Sequence, residues 1–427
     1  MSSGTDKNLR RGEDSARQRI VTPNTVVVVL LLVLVTGGIA FAIVFADAFS
    51  ESEERICLRK LLKVLKMRGP TDEAVGKPSK HFEGFVFWVS GDSGTVHRAR
   101  VSPQTVLRGQ ALSNDISTFL RNLGHGAVFY MSTHDVDFWT AADGYQYEKV
   151  RKAMHRTLDR CPRVFLLSWN PCGATNNSGG RIGRRTIPIP DPYATPNFED
   201  IAPSFEKRQP GAVFRGVTTG QKGVNNTYST SDRFRAVMAL ANTSNVRFTR
   251  RVQGVSSREV PDWVMGKSLS HMDMLRYQFQ VDIDGNANSW GGLKWKLAAG
   301  SMLLKVPSSR SCIQWYYPQL QDGRELLMVP TEDLAVTIAR LQKWNASDLD
   351  DFGARSRSFA EKVLTPSYTN AYLNRILLKA PSMMAAIEAF DWRIRTNAGH
   401  DNSTVLIPGE SSPRTLGLDR YGVPFLH

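Results

Sequence analysis

Residues 277–305 read YQFQVDIDGNANSWGGLKWKLAAGSMLLK, and few folds accommodate that order. An apolar strand pattern runs into a turn rich in glycine and asparagine, then an amphipathic helical stretch, then a second apolar strand pattern. Two strands joined through a helix make a parallel βαβ unit. In such a unit the loop after the first strand feeds the amino end of the helix, whose free N–H groups and positive dipole end attract phosphate. Here that loop carries Asp284, Asn286, Asn288, Ser289 and Trp290, a dense supply of hydrogen-bonding groups.

The alternation continues along the chain. Buried-strand patterns are expected at 85–89, 127–131, 164–169, 279–283, 302–306 and 326–329, and helices at 147–159, 333–344, 352–363 and 368–378. Strands spaced by helical patterns argue for parallel sheets. A turn-rich stretch at 170–209 divides two such groups. The expected body is α/β, two Rossmann-like domains facing a cleft, 81–209 and 210–395, with a weakly periodic, draped tail at 396–427.

The amino end reads differently. Residues 26–46 are almost entirely apolar, long enough to cross a hydrocarbon core. The run exceeds a signal-peptide core and no clean cleavage site closes it, so the expectation is an uncleaved signal anchor at 25–46 after a cytosolic tail, 1–24. A stem and linker occupy 47–80. Within it, 52–68 forms a basic amphipathic helix that either lies on lipid headgroups or packs on the body. Basic residues on both sides of the span leave the positive-inside count near a tie. Acceptor sequons led by Asn176, Asn225, Asn242, Asn345 and Asn402, and four cysteines, tip it toward a body in the secretory lumen. Cys161 and Cys172 bracket a short strand and are the expected disulfide, with Cys57 a free or intermolecular thiol. The chain ends VPFLH, without a KDEL-like signal, so a Golgi or ER membrane location would rest on the anchor.

A formal net charge of +14 fits an anionic ligand, anionic headgroups or nucleic acid. The basic clusters at Arg181, Arg184 and Arg185, and at Arg247, Arg250 and Arg251, lack interleaved aromatics, which argues against nucleic acid. Scattered histidines, no H-E-x-x-H and no C-x-x-C supply little for a metal, and a G-x-S-x-G elbow is missing. Asp282-Ile283-Asp284 spells D-x-D, which could chelate a divalent ion or cap the following turn. In VFYMSTHDVD, Asp135 falls just past a strand end, where a carboxylate could take a proton from an attacking hydroxyl; Asp137 and His134 compete for that role. AVFRGVTTG offers Arg215, Gly216, Thr218, Thr219 and Gly220 as a second phosphate-facing loop. Gln314, Trp315, Tyr316 and Tyr317 are either an aromatic platform for a base or sugar, or core packing.

Taken in order, FRGVTTG, the 277–306 block, QWYYPQL and VPTEDLAVTIARL resemble glycosyltransferase family 90, the protein O-glucosyl- and O-xylosyltransferases and the capsule and lipopolysaccharide enzymes, and most of all its lipopolysaccharide-transferase-like branch. The resemblance covers roughly residues 82–380. It implies a GT-B fold, a UDP-sugar donor, a hydroxyl acceptor on a protein or glycan, and inversion without an essential metal or other cofactor. It also implies roles: Asp135 as catalytic base, Arg215 at the donor diphosphate, and Gly216, Thr218, Thr219, Asp284, Asn288, Ser289, Trp290 and Lys294 around the donor. Two alternatives stand beside it. One is a metal-dependent transferase using Asp282 and Asp284; the other is a non-catalytic sugar-binding scaffold.

Overall fold

The computed structural model describes residues 53–65, 84–89, 95–100, 110–123, 126–132, 145–169, 171–172, 186–191, 195–220, 228–380, 390, 394, 404–405, 414–418, 420 and 423–426. The expected anchor at 25–46, the linker at 69–80, His134, Asp135, Asp137 and the sequons at Asn176, Asn225 and Asn402 lie outside them. Among the described residues no helix is long and apolar enough to cross a membrane.

Two five-stranded sheets organise the chain. The first contains β1 (Gly84–Val89), β2 (Val96–Arg100), β3 (Ala127–Ser132), β4 (Val164–Ser168) and β5 (Thr186–Pro188), in the order β2-β1-β3-β4-β5. β3, β4 and β5 run parallel, whereas β1 is antiparallel to both β2 and β3. AVFYMS and VFLLS are buried at every position, as strands covered on both faces must be. The second sheet is parallel throughout: β6 (Gln209–Val217), β7 (Asn245–Arg250), β8 (Tyr277–Asp282), β9 (Met302–Lys305) and β10 (Leu327–Met328), in the order β10-β9-β8-β6-β7. The mixed α/β class and parallel strands expected from the sequence are therefore present.

Helices cover both sheets. α1 (Glu53–Val64) and α3 (Tyr145–Arg160) pack on one face of the first sheet, burying Leu61, Leu62 and Leu65 beside Val86, Tyr130, Met154 and Leu166. The helix expected within 52–68 thus packs on the folded body, the second of its two readings. The other face meets α2 (Gln110–Leu120), and its core runs without a break into the second half, through α6 (Gly291–Ala299) and α9 (Pro366–Lys379). α4 (Asp232–Leu240), α7 (Leu334–Leu341) and the start of α8 (Ala346–Val363) complete a core on the second sheet. α5 (His271–Leu275) leads directly into β8.

Three expectations need correction. The disulfides are Cys57–Cys161 and Cys172–Cys312, not Cys161–Cys172, and no described cysteine is free. β4 separates Cys161 from Cys172, and a five-residue strand spans about 16 Å. A disulfide needs Cα atoms within about 7 Å. The carboxyl-terminal region is not simply draped: β11 (Thr404–Val405), β12 (Arg414–Leu418) and β13 (Pro424–Leu426) form an antiparallel sheet. Val423 joins the main core, and Arg420 O accepts the Tyr368 hydroxyl at 2.9 Å. Finally, α6 is not amphipathic. Leu293, Lys294, Lys296, Leu297, Ala298 and Ala299 are all buried, so its lysines need partners inside the protein.

Candidate active site

The carboxyl ends of the parallel strands in both sheets converge on the amino end of α6. From the first sheet, Trp169 and Pro171 follow β4 and Asp191 follows β5. From the second come the loops after β6 and β8 and the segment after β9. Ile313 N–H donates to Pro171 O at 3.0 Å, the Trp169 and Trp290 rings lie 6.0 Å apart, and Lys294 Nζ stands 2.6 Å from Asp191 Oδ2. Open α/β sheets bind ligands outside the carboxyl ends of their strands. Here two sheets present that edge to the same place.

Behind this edge lies a buried set of charges. Asp282 Oδ1 accepts Lys296 Nζ at 2.8 Å; its Oδ2 faces Lys305 Nζ at 3.1 Å and accepts the Ser289 hydroxyl at 2.8 Å. Lys305 Nζ also reaches Asp284 Oδ1 at 2.5 Å. The strand register explains the reach, because Asp282 pairs with Lys305 across β8 and β9. Burial alone would raise the Asp282 carboxyl, but Lys296 and Lys305 outweigh it and hold the group well below the usual carboxylate range. Burial raises Asp284, to which neighbouring Asp282 adds, and Lys305 only partly offsets them. Burial lowers Lys305, yet the two carboxylates carry it above its ordinary value. The D-x-D pair is thus neutralised by two ammonium groups, one of them shared.

Arg233, in the first turn of α4, is, like Asp191, Lys296 and Lys305, a residue that the sequence patterns did not single out. Its Nε and Nη2 donate to Ile283 O at 3.3 and 3.2 Å, and its Nη1 to Val217 O at 3.0 Å and to the Thr219 hydroxyl oxygen. One guanidinium therefore ties the end of β6 to the end of β8. Gly285 permits the close approach, since a Cβ there would sit 2.7 Å from Thr219 Oγ1. Gly220, at φ +148°, donates its N–H to Asn286 Oδ1 at 3.1 Å. The only sequence signal for Arg233 is its place near the start of the helix that follows the β6 loop.

Arg215, expected at a donor diphosphate, has its guanidinium engaged by backbone and side-chain oxygens of neighbouring segments. Its Nε donates to Lys267 O at 2.9 Å, Nη1 to Phe214 O at 2.9 Å and Asn245 O at 2.5 Å, and Nη2 to Asn245 Oδ1 at 2.6 Å. Asn245 opens β7 and in turn bonds Tyr277, which opens β8, so the guanidinium turns back toward the amino ends of the sheet. Burial, with nearby Arg247, lowers its pKa, and Tyr277 only partly opposes this. Gly216 continues β6, its carbonyl accepting from the Thr249 hydroxyl at 3.3 Å. Thr218 is buried and locks the segment after β7, accepting Val252 N–H at 2.8 Å and donating to Val252 O at 3.3 Å.

The loop into α6 is held from behind. Asn288, buried, donates to Ile313 O at 3.1 Å while its Oδ1 accepts Gln314 Nε2 at 2.7 Å and Trp290 N–H at 3.0 Å. Trp290 precedes the helix at φ +53°, a region that a bulky side chain enters only where its surroundings impose it. At Gly291, the first residue of α6, a Cβ would meet no atom within 4 Å, so the helix start faces open space. Trp315, Tyr316 and Tyr317 are buried, with Trp315 4.8 Å from Tyr372 and Tyr316 6.4 Å from Phe359. They pack the core rather than offering a platform. The structure thus gathers Thr219, Asp284, Asn288, Ser289, Trp290 and Lys294 around one edge, with Thr218 buried beside it.

No family model matches this chain, and no curated protein sequence does. Solved structures similar to part of it include that of TarM, at 12% identity and TM-score 0.35, covering 57% of this chain and 47% of that one. Anabaena Alr3699/HepE in complex with UDP and glucose is 11% identical with TM-score 0.38, covering 64% and 74%. The pneumococcal O-GlcNAc transferase GtfA in complex with UDP and GlcNAc is 11% identical with TM-score 0.31, covering 54% and 55%. The chain therefore spans about half the length of TarM and of GtfA.

Proposed function

We propose that this chain is an inverting glycosyltransferase of the GT-B type that moves a sugar from a UDP-sugar to a hydroxyl of a protein or glycan. One observation carries the proposal: the α6 amino end, open at Gly291, begins where the strand ends of both sheets meet. The 277–306 resemblance supports the same use of that edge. In this reading the positive dipole end of α6 takes the diphosphate and stabilises the charge that develops as UDP departs, with Gly292 N–H already donating to Ser289 O at 2.9 Å. Asn288 and Gln314 hold the approach to that turn, and Arg233 keeps the two strand-end loops in register. Lys294 acts through its pair with Asp191, adding field without a free head group. Asp135 is the proposed base, and UDP-xylose and UDP-glucose are the donors tested first. The engagement of Asp282 and Asp284 by lysines favours transfer without a divalent ion over the D-x-D alternative. Two disulfides, together with exposed sequons at Asn242 and Asn345, support a lumenal body in a Golgi or ER membrane, anchored through residues 25–46.

The test is a screen of the full chain in detergent against a panel of UDP-sugars, read as UDP release, with and without excess chelator. Release that persists in chelator is expected, and Asp135→Asn should abolish it while leaving UDP bound. UDP binding without turnover on any acceptor would favour a scaffold, and no UDP binding at all would remove the proposal.

A further inference from the structure

We infer that the Cys172–Cys312 disulfide is a positioning bond for the nucleotide-facing loop 286–290, and not only a staple for the fold; this rests on the UDP-sugar reading above. The bond joins the segment after β4 to the segment after β9, residues 140 apart in sequence, one from each sheet's ligand-facing edge. Its half-cystines are buried against one further apolar residue, Ala287, which lies inside the loop. The contacts continue from there without a gap. Ile313, next to Cys312, donates to Pro171 O and accepts from Asn288 Nδ2; Gln314 donates to Asn288 Oδ1; Asn288 Oδ1 accepts the N–H of Trp290. Trp290 then sets the first turn of α6 from its φ of +53°.

The segment that presents Cys312 is itself in an uncommon conformation. Ser311 has φ +51°, and Cys312 N–H is turned onto Ser308 Oγ at 3.2 Å. Non-glycine residues stay at such angles when their neighbours over-determine them, and here a covalent bond does so on one side. Without the bond, 308–313 can relax, and Asn288 loses the fixed carbonyl and amide that aim it.

The second disulfide supplies the control. Cys57–Cys161 ties α1 to the end of α3 within the core on the far face of the first sheet, among residues that touch none of the loop. It closes a loop of 104 residues, close enough to 140 that both bonds restrict the unfolded chain to a similar degree. A staple and a positioning bond therefore predict different outcomes. In the full chain, the C57S/C161S and C172S/C312S variants should lower Tm by comparable amounts. Only C172S/C312S should weaken UDP, by about tenfold or more in calorimetric Kd, with a matching rise in KM for the UDP-sugar. Equal weakening in both, or none in C172S/C312S, overturns the inference. Should C172S/C312S not fold, native enzyme reduced and alkylated at this bond gives the same comparison, and undiminished UDP affinity there is equally fatal. If the native chain binds no UDP, the functional proposal fails on its own. Amide exchange then decides the positioning role: residues 286–290 should exchange faster in C172S/C312S alone, and unchanged exchange refutes it.

Discussion

Lys305→Met should uncover the electrostatics behind the candidate site most directly. Lys305 Nζ lies 2.5 Å from Asp284 Oδ1 and 3.1 Å from Asp282 Oδ2, with all three side chains buried. Asp282 keeps Lys296 and the Ser289 hydroxyl in the variant, whereas Asp284 loses its ion partner and its Oδ2 already has no hydrogen-bond partner. A carboxylate so placed takes up a proton. Keeping it neutral at pH 7 against a free-chain pKa near 3.9 costs about 4 kcal/mol, at about 1.4 kcal/mol per pH unit. That falls within the ~3–5 kcal/mol typical of removing one partner from a buried pair. The sign follows from the direction of the shift: raised in the folded state, Asp284 favours folding at low pH and opposes it as pH rises. Because Asp284 is already raised in native protein, the deficit relative to it should be at most about 4 kcal/mol at pH 7 and should shrink to no more than about 1.5 kcal/mol at pH 5. Asp282, depressed in the fold, keeps its contribution at pH 5 and loses it only far below. Urea unfolding of both proteins at pH 7 and pH 5 measures the difference, and Lys305→Met/Asp284→Asn should recover at least about 2 kcal/mol at pH 7. A deficit under about 1 kcal/mol, or one equal at both pH values, would refute the account of a buried, ionised cluster.

Arg215→Ala should lower stability by about 2 kcal/mol, since it strands the Asn245 and Lys267 carbonyls, and should leave UDP Kd within about twofold; a tenfold loss of UDP affinity would return Arg215 to the diphosphate. Gly353→Ala places a methyl group against the Gly300 carbonyl oxygen, with Gly300 C only 2.9 Å away, where α8 crosses the end of α6. Denaturant unfolding should show a loss of about 1–3 kcal/mol, and an unchanged midpoint would mean that this crossing gives way easily. Expressed through a secretory pathway, the chain should carry glycans at Asn242 and Asn345, both exposed, so that removing each sequon shortens the glycosidase-sensitive mass step; an unmodified Asn242 and Asn345 would argue against a lumenal body.

The second half of the fold was legible because its segments are locally consistent. The 277–305 block shows strand, turn, helix and strand in sequence, and the structure forms β8, α6 and β9 there. What the sequence concealed was partnership. Lys294 read as a donor-facing cation and Lys296 drew no reading, because nothing nearby in sequence announces Asp191 or the fold that brings Asp282 beneath them. Arg215 stood out through its FRGVTTG motif, whereas Arg233 carried no motif of its own. Only the backbone path reveals that one points to the amino ends of the strands and the other to the carboxyl ends. Cysteine pairing failed for the same reason, since closeness in sequence across β4 meant separation in space.

The two lysines on α6 also limit how the molecule can move. Lys294 is bonded to a residue beyond the first sheet and Lys296 to one within the second, so the helix is fastened to both halves at once. Pulling the halves apart along this line would expose an unpaired buried charge on one side or the other, several kcal/mol against the motion. Any relative motion of the two halves must then be a pivot with its axis near α6, wide at the far rim and almost still beside Gly291. Such a pivot would leave the amino end of α6 fixed relative to both sheets.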